Sequence, residues 1–397
     1  MAIESAQVLP KGVNYATLRT AQVSQASQKF GPNGVLANQG DFYTQDIDLT
    51  QLMRFLKPEK KEELQKLVHA LNQAGRSELG NKLHLGQLKV EIHPDIKYVC
   101  PVFARGITDE WTVGFAIPII QYALDIRMQQ VSSNIPFIQN ELQAVAEAST
   151  ELKSGLETLN QNLALAAQDT FAAKGYKRVE SRKNTFLGDI HLVSLYQFYK
   201  NSRWTSVFKT SVVLPTGPKD DADDLTDITS QHQTGLGGTV IQEYQFNDYT
   251  TMGVNAGYFA RLPDQAEKRV PASADDILPD ADRKEALHRD LGDSITGGLT
   301  ARHSFSDYIA LGAGWEWGQK QEDKYSGSRD YEYYLLSRNT SQEWQKAMAT
   351  IEYSTAKGYL QKRDAVPYGI GYEFSEIMSG RNIERAQIHE VSMKMFF

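Results

Sequence analysis

Along much of the chain apolar residues recur at every second position, the spacing of a sheet whose two faces meet different surroundings. Ile309, Leu311, Ala313, Trp315 and Trp317 alternate with Tyr308, Ala310, Gly312, Gly314 and Glu316. Met252, Val254, Ala256, Tyr258 and Ala260 alternate with Gly253, Asn255, Gly257 and Phe259. Val366, Tyr368, Ile370, Tyr372 and Phe374 alternate with Pro367, Gly369, Gly371 and Glu373. Trp204, Phe208, Val212 and Leu214 stand against Arg203, Thr205, Lys209 and Ser211. The last segment sets Val391, Met393, Met395 and Phe397 against Glu390, Ser392 and Lys394. Each segment predicts a strand with one apolar face and one small, polar or charged face.

A soluble sandwich would alternate in the same way, apolar side inward. The connections separate the two cases. Asn201-Ser202, Asn247-Asp248 and Ser306-Asp307 are tight turns between long strands, and the polar loops 217–233, 262–290 and 319–340 lie between them. Short turns at one end and long loops at the other are the arrangement of outer-membrane barrels, whose short turns are periplasmic. With the C-terminus placed in the periplasm, counting backwards puts all three tight turns on that side. Further strands are predicted near 12–23, 42–55, 83–92, 95–105 and 111–121, with nine more from 185 onward. Register breaks near 87–89 make the count 12–14. The predicted fold is all-β: one antiparallel transmembrane β-barrel, or barrel-like sheet, spanning 1–397, with helical insertions at about 58–75 and 134–174.

In the first insertion Glu59, Glu62 and Glu63 load the opening turns, Leu64, Leu67, Val68 and Leu71 share a face, and Gly75 stops the helix. The backward count puts it at the tight-turn end. In the second, Leu142, Val145, Leu152, Leu156, Leu159 and Leu163 fall at spacings of three and four once Ser149 is included, a heptad-like stripe. The count puts this insertion at the long-loop end. Two readings stand: a helix packed on the protein's own strands or in its lumen, and a subunit-contact helix.

Composition narrows the classes. Mean hydropathy is -0.45 and no apolar run approaches the length of a membrane-spanning helix. A barrel strand needs only about 9–11 residues with alternate ones apolar. The 19 Tyr, 16 Phe and 5 Trp suit membrane interfaces. A net charge of -7 gives no sign of nucleic-acid binding. Cys100 is the only cysteine, which excludes an internal disulfide, and it reads as inert packing. No secretory apolar segment follows Met1, as in a mature start with an added methionine, though a cytosolic start would look the same.

Candidate chemistry is thin. Asp220, Asp221, Asp223, Asp224 and Asp227 could hold a hard cation, but they lack the ordered calcium-loop pattern and read as a solvated acidic loop, as do Asp275, Asp276, Asp280 and Asp282. His84 and His93 flank a strand. Asp189 and His191 share a face without a nucleophile motif, and 235–238 opens a strand with no helix after it. No enzyme activity and no cofactor or metal is expected. Arg203, Lys209, Asp189, His191, Glu316 and Lys394 are the expected lumen-facing residues. Trp204, Tyr258, Trp315, Trp317, Tyr368, Tyr372 and Phe397 are the expected lipid-facing girdle.

Two motifs carry a resemblance. Leu187-Gly188-Asp189-Ile190, a strand, a tight turn and then Val213-Leu214-Pro215-Thr216-Gly217 resembles the core of porin-like outer-membrane proteins linked to the phenol meta-cleavage pathway. Leu9-Pro10-Lys11-Gly12-Val13 is similar to the start of mature members. The resemblance implies a barrel for passage or binding of small, often apolar molecules, in a bacterial outer membrane. A helical insertion in such a chain also resembles the oligomeric porin-like proteins of predatory bacteria, whose subunits ring enclosed lipid. The expected function is a porin-like passage or binding site; the alternative is a homo-oligomer that encloses or reshapes lipid. Expected partners are outer-membrane lipid, further copies of the chain, and the barrel-insertion machinery acting on the C-terminal strand. An outer-membrane lipase is the remote third reading.

Overall fold

A sheet with one apolar face can hide that face inside itself or turn it outward into lipid, and the exposures show which. The computed structural model describes residues 5–42, 44–48, 58–73, 83–131, 133–143, 168–169, 171–227 and 230–397. Twelve antiparallel strands close into a barrel. They are β1 (Asn14–Ser24), β2 (His84–Gly106), β3 (Trp111–Ala116 and Ile119–Val131), β4 (Arg182–Leu187 and Ile190–Lys200), β5 (Trp204–Leu214) and β6 (Gly235–Gln245). Then follow β7 (Thr250–Arg261), β8 (Ser294–Ser304), β9 (Ile309–Lys320), β10 (Gln342–Ser354), β11 (Tyr368–Arg381) and β12 (Gln387–Phe396). Each pairs with its sequence neighbours, and β12 pairs with β1 from Tyr15↔Phe396 to Ser24↔Gln387, which closes the barrel and leaves edges only where β2 and β3 run beyond it.

The apolar face points out. Val254, Leu299 and Trp315 lie side by side on neighbouring strands and are 48%, 60% and 41% exposed. The alternate positions, among them Thr17, Glu373 and Glu390, are buried in the barrel. A band of exposed apolar side chains around a closed sheet is what lipid requires and water penalises. We expect Leu299→Arg, at the middle of β8, to cost about 2–4 kcal/mol in a bilayer. Urea titration of the protein folded into vesicles measures it, and a change within error would mean that this face does not meet hydrocarbon.

The tight turns fold for a local reason. The Asn201 and Asn247 side-chain oxygens and the Ser306 hydroxyl each accept backbone N–H bonds from the residues two and three positions on. A fourth turn, between β2 and β3, uses Thr108 in the same way for the Glu110 N–H. All four lie at one end, together with the longer connection 355–367, and the loops 217–233, 262–290 and 319–340 lie at the other.

The strand count falls at the low end of the predicted range for two reasons. Segments 83–92 and 95–105, predicted as separate strands around Pro94, are one 23-residue strand, β2. Pairing with β1 stops at Ile96, so Pro94 lies where β2 has lost that neighbour, and an edge tolerates a proline. Within 42–55 the described strand is only Gln45–Asp48, paired to the far end of β2. Merging the two segments moves helix α1 (Pro58–Gln73): its excursion leaves and rejoins the barrel at the long-loop end, not at the tight-turn end as the backward count predicts. Helix α2 (Ile135–Gln143) opens the second insertion at the long-loop end and is anchored by Ile135 and Ile138, both fully buried. Of the heptad-like stripe only Leu142 falls within α2; Val145, Leu152, Leu156, Leu159 and Leu163 lie outside the described residues.

Candidate functional site

The inner face of the barrel has two unlike walls. On β4, β5 and β6 it carries an apolar patch between polar positions such as Lys209 and Glu243: Val207 and Ile241 are 0% and 1% exposed, with Leu195 beside them. What covers them is the segment before β1. Ala6 packs into this cluster, Val8 lies against it, and the Ala6 N–H donates to Glu243 Oε1 at 3.0 Å. Leu9 N–H donates to Thr112 Oγ1 at 2.8 Å, and Lys11 N–H to Asp109 Oδ1 at 2.9 Å. Gly12 has φ +82°, and its N–H bonds the Gly106 carbonyl at 2.8 Å. Gly106 makes the path possible, since a Cβ there would sit 2.0 Å from the Pro10 carbonyl oxygen. The segment therefore runs from the rim at the tight-turn end into the lumen, bound along one wall.

The opposite wall is charged. Arg19 meets Glu390 through two hydrogen bonds of 2.7 and 2.8 Å, and Tyr98 donates to the same carboxylate. Glu316 accepts from Trp344 Nε1 at 2.9 Å and from Lys346 Nζ at 3.0 Å. Lys394 reaches Glu352 at 3.0 Å, although β12 and β10 are not neighbours. Between them β11 presents Gly369 and Gly371, opposite Lys394 and Glu352, so no side chain blocks the span. Bidentate and paired charges of this kind hold a fixed polar surface in a confined space.

Glu316 and Lys394 thus sit among these inner groups, and Lys209 shares the inner register of Thr239 and Gly257. Arg203 is in the turn before β5, where Nη1 donates to the Tyr244 hydroxyl at 3.1 Å. Asp189 lies in the break within β4, accepting the Gly217 N–H at 2.9 Å, and His191 starts the next stretch of that strand. Thr216 Oγ1 accepts the Ile190 N–H and donates to the Gly188 carbonyl, both at 3.0 Å. The two halves of the sequence motif that carried the resemblance are therefore one staple, joining the break in β4 to the end of β5. Trp204, Tyr258, Trp315, Trp317, Tyr368, Tyr372 and Phe397 are each at least 40% exposed. Sequence reading did not mark Arg19, Tyr98, Trp344, Lys346, Glu352 or the residue 5–12 segment as site groups.

The loop expected to be solvated and acidic is ion-paired instead. Asp223 meets Arg269 and Lys284, Asp221 meets Lys177, Asp224 meets Arg182, and Asp220 meets Lys268. These cations come from residues 174–182 and from the hairpin Asp264–Arg269 with Lys284–Asp290, which also pairs with Lys324–Ser326. Three loops are thereby tied into one cap at the long-loop end. Among the described residues no three His, Cys, Asp or Glu side chains converge as a metal site. The Lys284 and Arg269 hydrogen bonds hold the Asp223 carboxyl below its ordinary value of 3.8, and Lys177 does the same for Asp221. A carboxylate whose pKa is lowered by folding contributes stability above its unfolded pKa and loses it as pH falls through the folded value. The cap is therefore expected to hold at neutral pH and to loosen below about pH 4. Limited proteolysis of 217–227 across pH 7 to 3, with an acid-tolerant protease, checks this. Equal cleavage at both ends of the range would refute it.

No protein-family model and no curated protein matches the chain. Among solved structures it is similar to the COG4313 outer membrane channel from Pseudomonas putida F1, with a TM-score of 0.54 at 8% identity over 100% of both chains. A Pseudomonas aeruginosa FadL homologue aligns with a TM-score of 0.34 at 7% identity, over 97% of this chain and 90% of that one. The KdgM porin gives 0.30 at 8%, over 77% and 96%. At such identities the first likeness speaks for the fold. With its closed sheet and exposed apolar band, the chain has the fold of porin-like outer-membrane β-barrels, consistent with a place in the bacterial outer membrane.

Proposed function

We propose that the protein is an outer-membrane channel for small molecules whose lumen is narrowed by its own N-terminal segment. The observation that carries this reading is the seating of Ala6 on Val207 and Ile241, opposite a wall of fixed ion pairs. A solute passing through would travel between an apolar-backed strip of main chain and a row of paired charges. Such a passage favours small solutes with both polar and apolar parts and excludes bulky ones. The ion pairs neutralise one another, so strong selection by ionic charge is not expected.

Planar-bilayer recording and liposome swelling test the reading. The intact protein is expected to give small, flickering conductance and slow swelling with small sugars or amphipathic solutes. A well-folded, membrane-inserted protein that passes neither ions nor solutes, even when the segment is removed, would end it.

A further inference from the structure

On the outer wall the apolar band is interrupted over β2 to β5. One row of outward residues, Phe103, Phe115, Leu192 and Val212, is apolar. The next row toward the tight turns reads Asn14, Arg105, Val113, Ser194 and Thr210. The row beyond it is large again, with Trp111 and Phe208 40% and 41% exposed. Small residues between two rows of rings leave a groove of about 530 Å³, open to the outside and bounded at one end by Phe397. A barrel wall facing only fluid hydrocarbon needs neither a groove nor an arginine. Trp111 Nε1 turns down to Ser194 Oγ at 2.8 Å, which satisfies one polar group of the row. Arg105 is exposed and makes no ion pair among the described residues. It lies opposite Val113, two residues along β3 from Trp111, so it sits about 7 Å membrane-ward of a girdle tryptophan at the tight-turn end.

We propose that β2 to β5 hold one phospholipid of the periplasmic leaflet, its acyl chain in this groove and its phosphate on Arg105. The guanidinium offers several N–H donors in a plane, which suits a phosphate. From that depth the long side chain carries its guanidinium back to headgroup level on the periplasmic side, where the tight turns lie. A second copy of the chain is the weaker occupant: a stable protein contact buries on the order of 1,000 Å² or more, with apolar anchors rather than a lone cation at its centre. The inference rests on the membrane placement of the barrel and not on its conductance.

Native mass spectrometry of the full chain, released from detergent micelles doped with dioleoyl phosphatidylglycerol, tests it. The wild-type barrel is expected to retain one phospholipid. Arg105→Gln should lower retention about tenfold, the loss of a charge-assisted contact. Thr210→Leu, which fills the groove and keeps the charge, should lower it as well. Heat-shifted electrophoretic mobility confirms that each variant is folded. Equal retention by Arg105→Gln, equal retention of dioleoylglycerol (which lacks the phosphate), or a lipid-free dimer would each overturn the proposal. Conductance of the same samples is recorded separately. A protein that conducts but keeps no lipid sinks this inference alone, while one that keeps lipid but never conducts sinks the channel reading alone.

Discussion

Removing residues 1–11 is expected to raise single-channel conductance several-fold and to quieten its flicker. The segment occupies the lumen by side-on contacts, and its hold is local: one small apolar cluster and a few backbone N–H bonds to Glu243, Thr112 and Asp109. The bond to Thr112 contributes about 0.5–1.5 kcal/mol net and each bond to a carboxylate about 1.5–3 at most, so brief release is within thermal reach, which is the source of the flicker. The barrel should survive the deletion, since its strands pair with one another from β1 onward and the segment lends them no ladder bonds beyond Gly12. Two point variants separate eviction from truncation. Ala6→Glu places a carboxylate beside Val207, Ile241 and the Glu243 side chain, where an unpaired buried charge costs several kcal/mol. Gly106→Val sets a side chain against the Pro10 carbonyl, a backbone atom that cannot yield cheaply. Both should behave like the deletion. Wild-type conductance in all three, with folding confirmed by heat-shifted mobility, would mean that the segment is not what limits flow.

Why the barrel itself was legible is clear at β8 and β9. Leu299 and Trp315 lie opposite one another on the outside, and a period of two leaves no freedom about which face a residue joins once the strand is granted. The turns were legible because Asn201, Asn247 and Ser306 act on backbone only two or three residues away. What was hidden depends on distance along the chain. Pro94 reads locally as a break, and only the end of β1 pairing at Ile96 shows why the strand runs through it. Glu316 and Lys394 were visible as charges at inner positions, but Lys394 meets Glu352 only because β11 puts Gly369 and Gly371 between them. The segment carrying Ala6 has no periodicity to read. Its one trace is the Leu9-Pro10-Lys11-Gly12 similarity, which says nothing of where the chain lies. The aspartates at 220–227 looked solvated because their cations arrive from residues 177–182 and 268–284.

That cap yields the second large effect. Arg269→Ala is expected to open it while leaving the barrel folded. The Arg269 side chain is 3% exposed and serves three segments at once. Its Nε and Nη2 donate to Asp223 Oδ1 at 2.9 and 2.6 Å, Nη1 to the Lys174 and Pro279 carbonyls at 2.7 and 3.2 Å, and Nη2 to the Gly175 carbonyl at 2.9 Å. The guanidinium also lies 3.8 Å from the Tyr176 ring centroid, a desolvated cation–π contact. Deleting it strands the Lys174 and Gly175 carbonyls, leaves the Pro279 carbonyl with the Tyr176 hydroxyl and leaves Asp223 with Lys284 alone, a loss of about 3–5 kcal/mol for a buried charged hub. If cleavage follows the population of open cap, that free energy corresponds to at least about a hundredfold faster proteolysis within 217–227 and 264–290. Arg269→Lys should recover little, because one ammonium cannot reach four acceptors in a plane. High salt should speed cleavage of the wild type far less than the substitution does, since Arg269 is buried whereas its flanking pairs, such as Lys177 with Asp221, are exposed and screened. Cleavage of Arg269→Ala at the wild-type rate would show that the cap is held by the hairpin's own strand pairing and not by this residue.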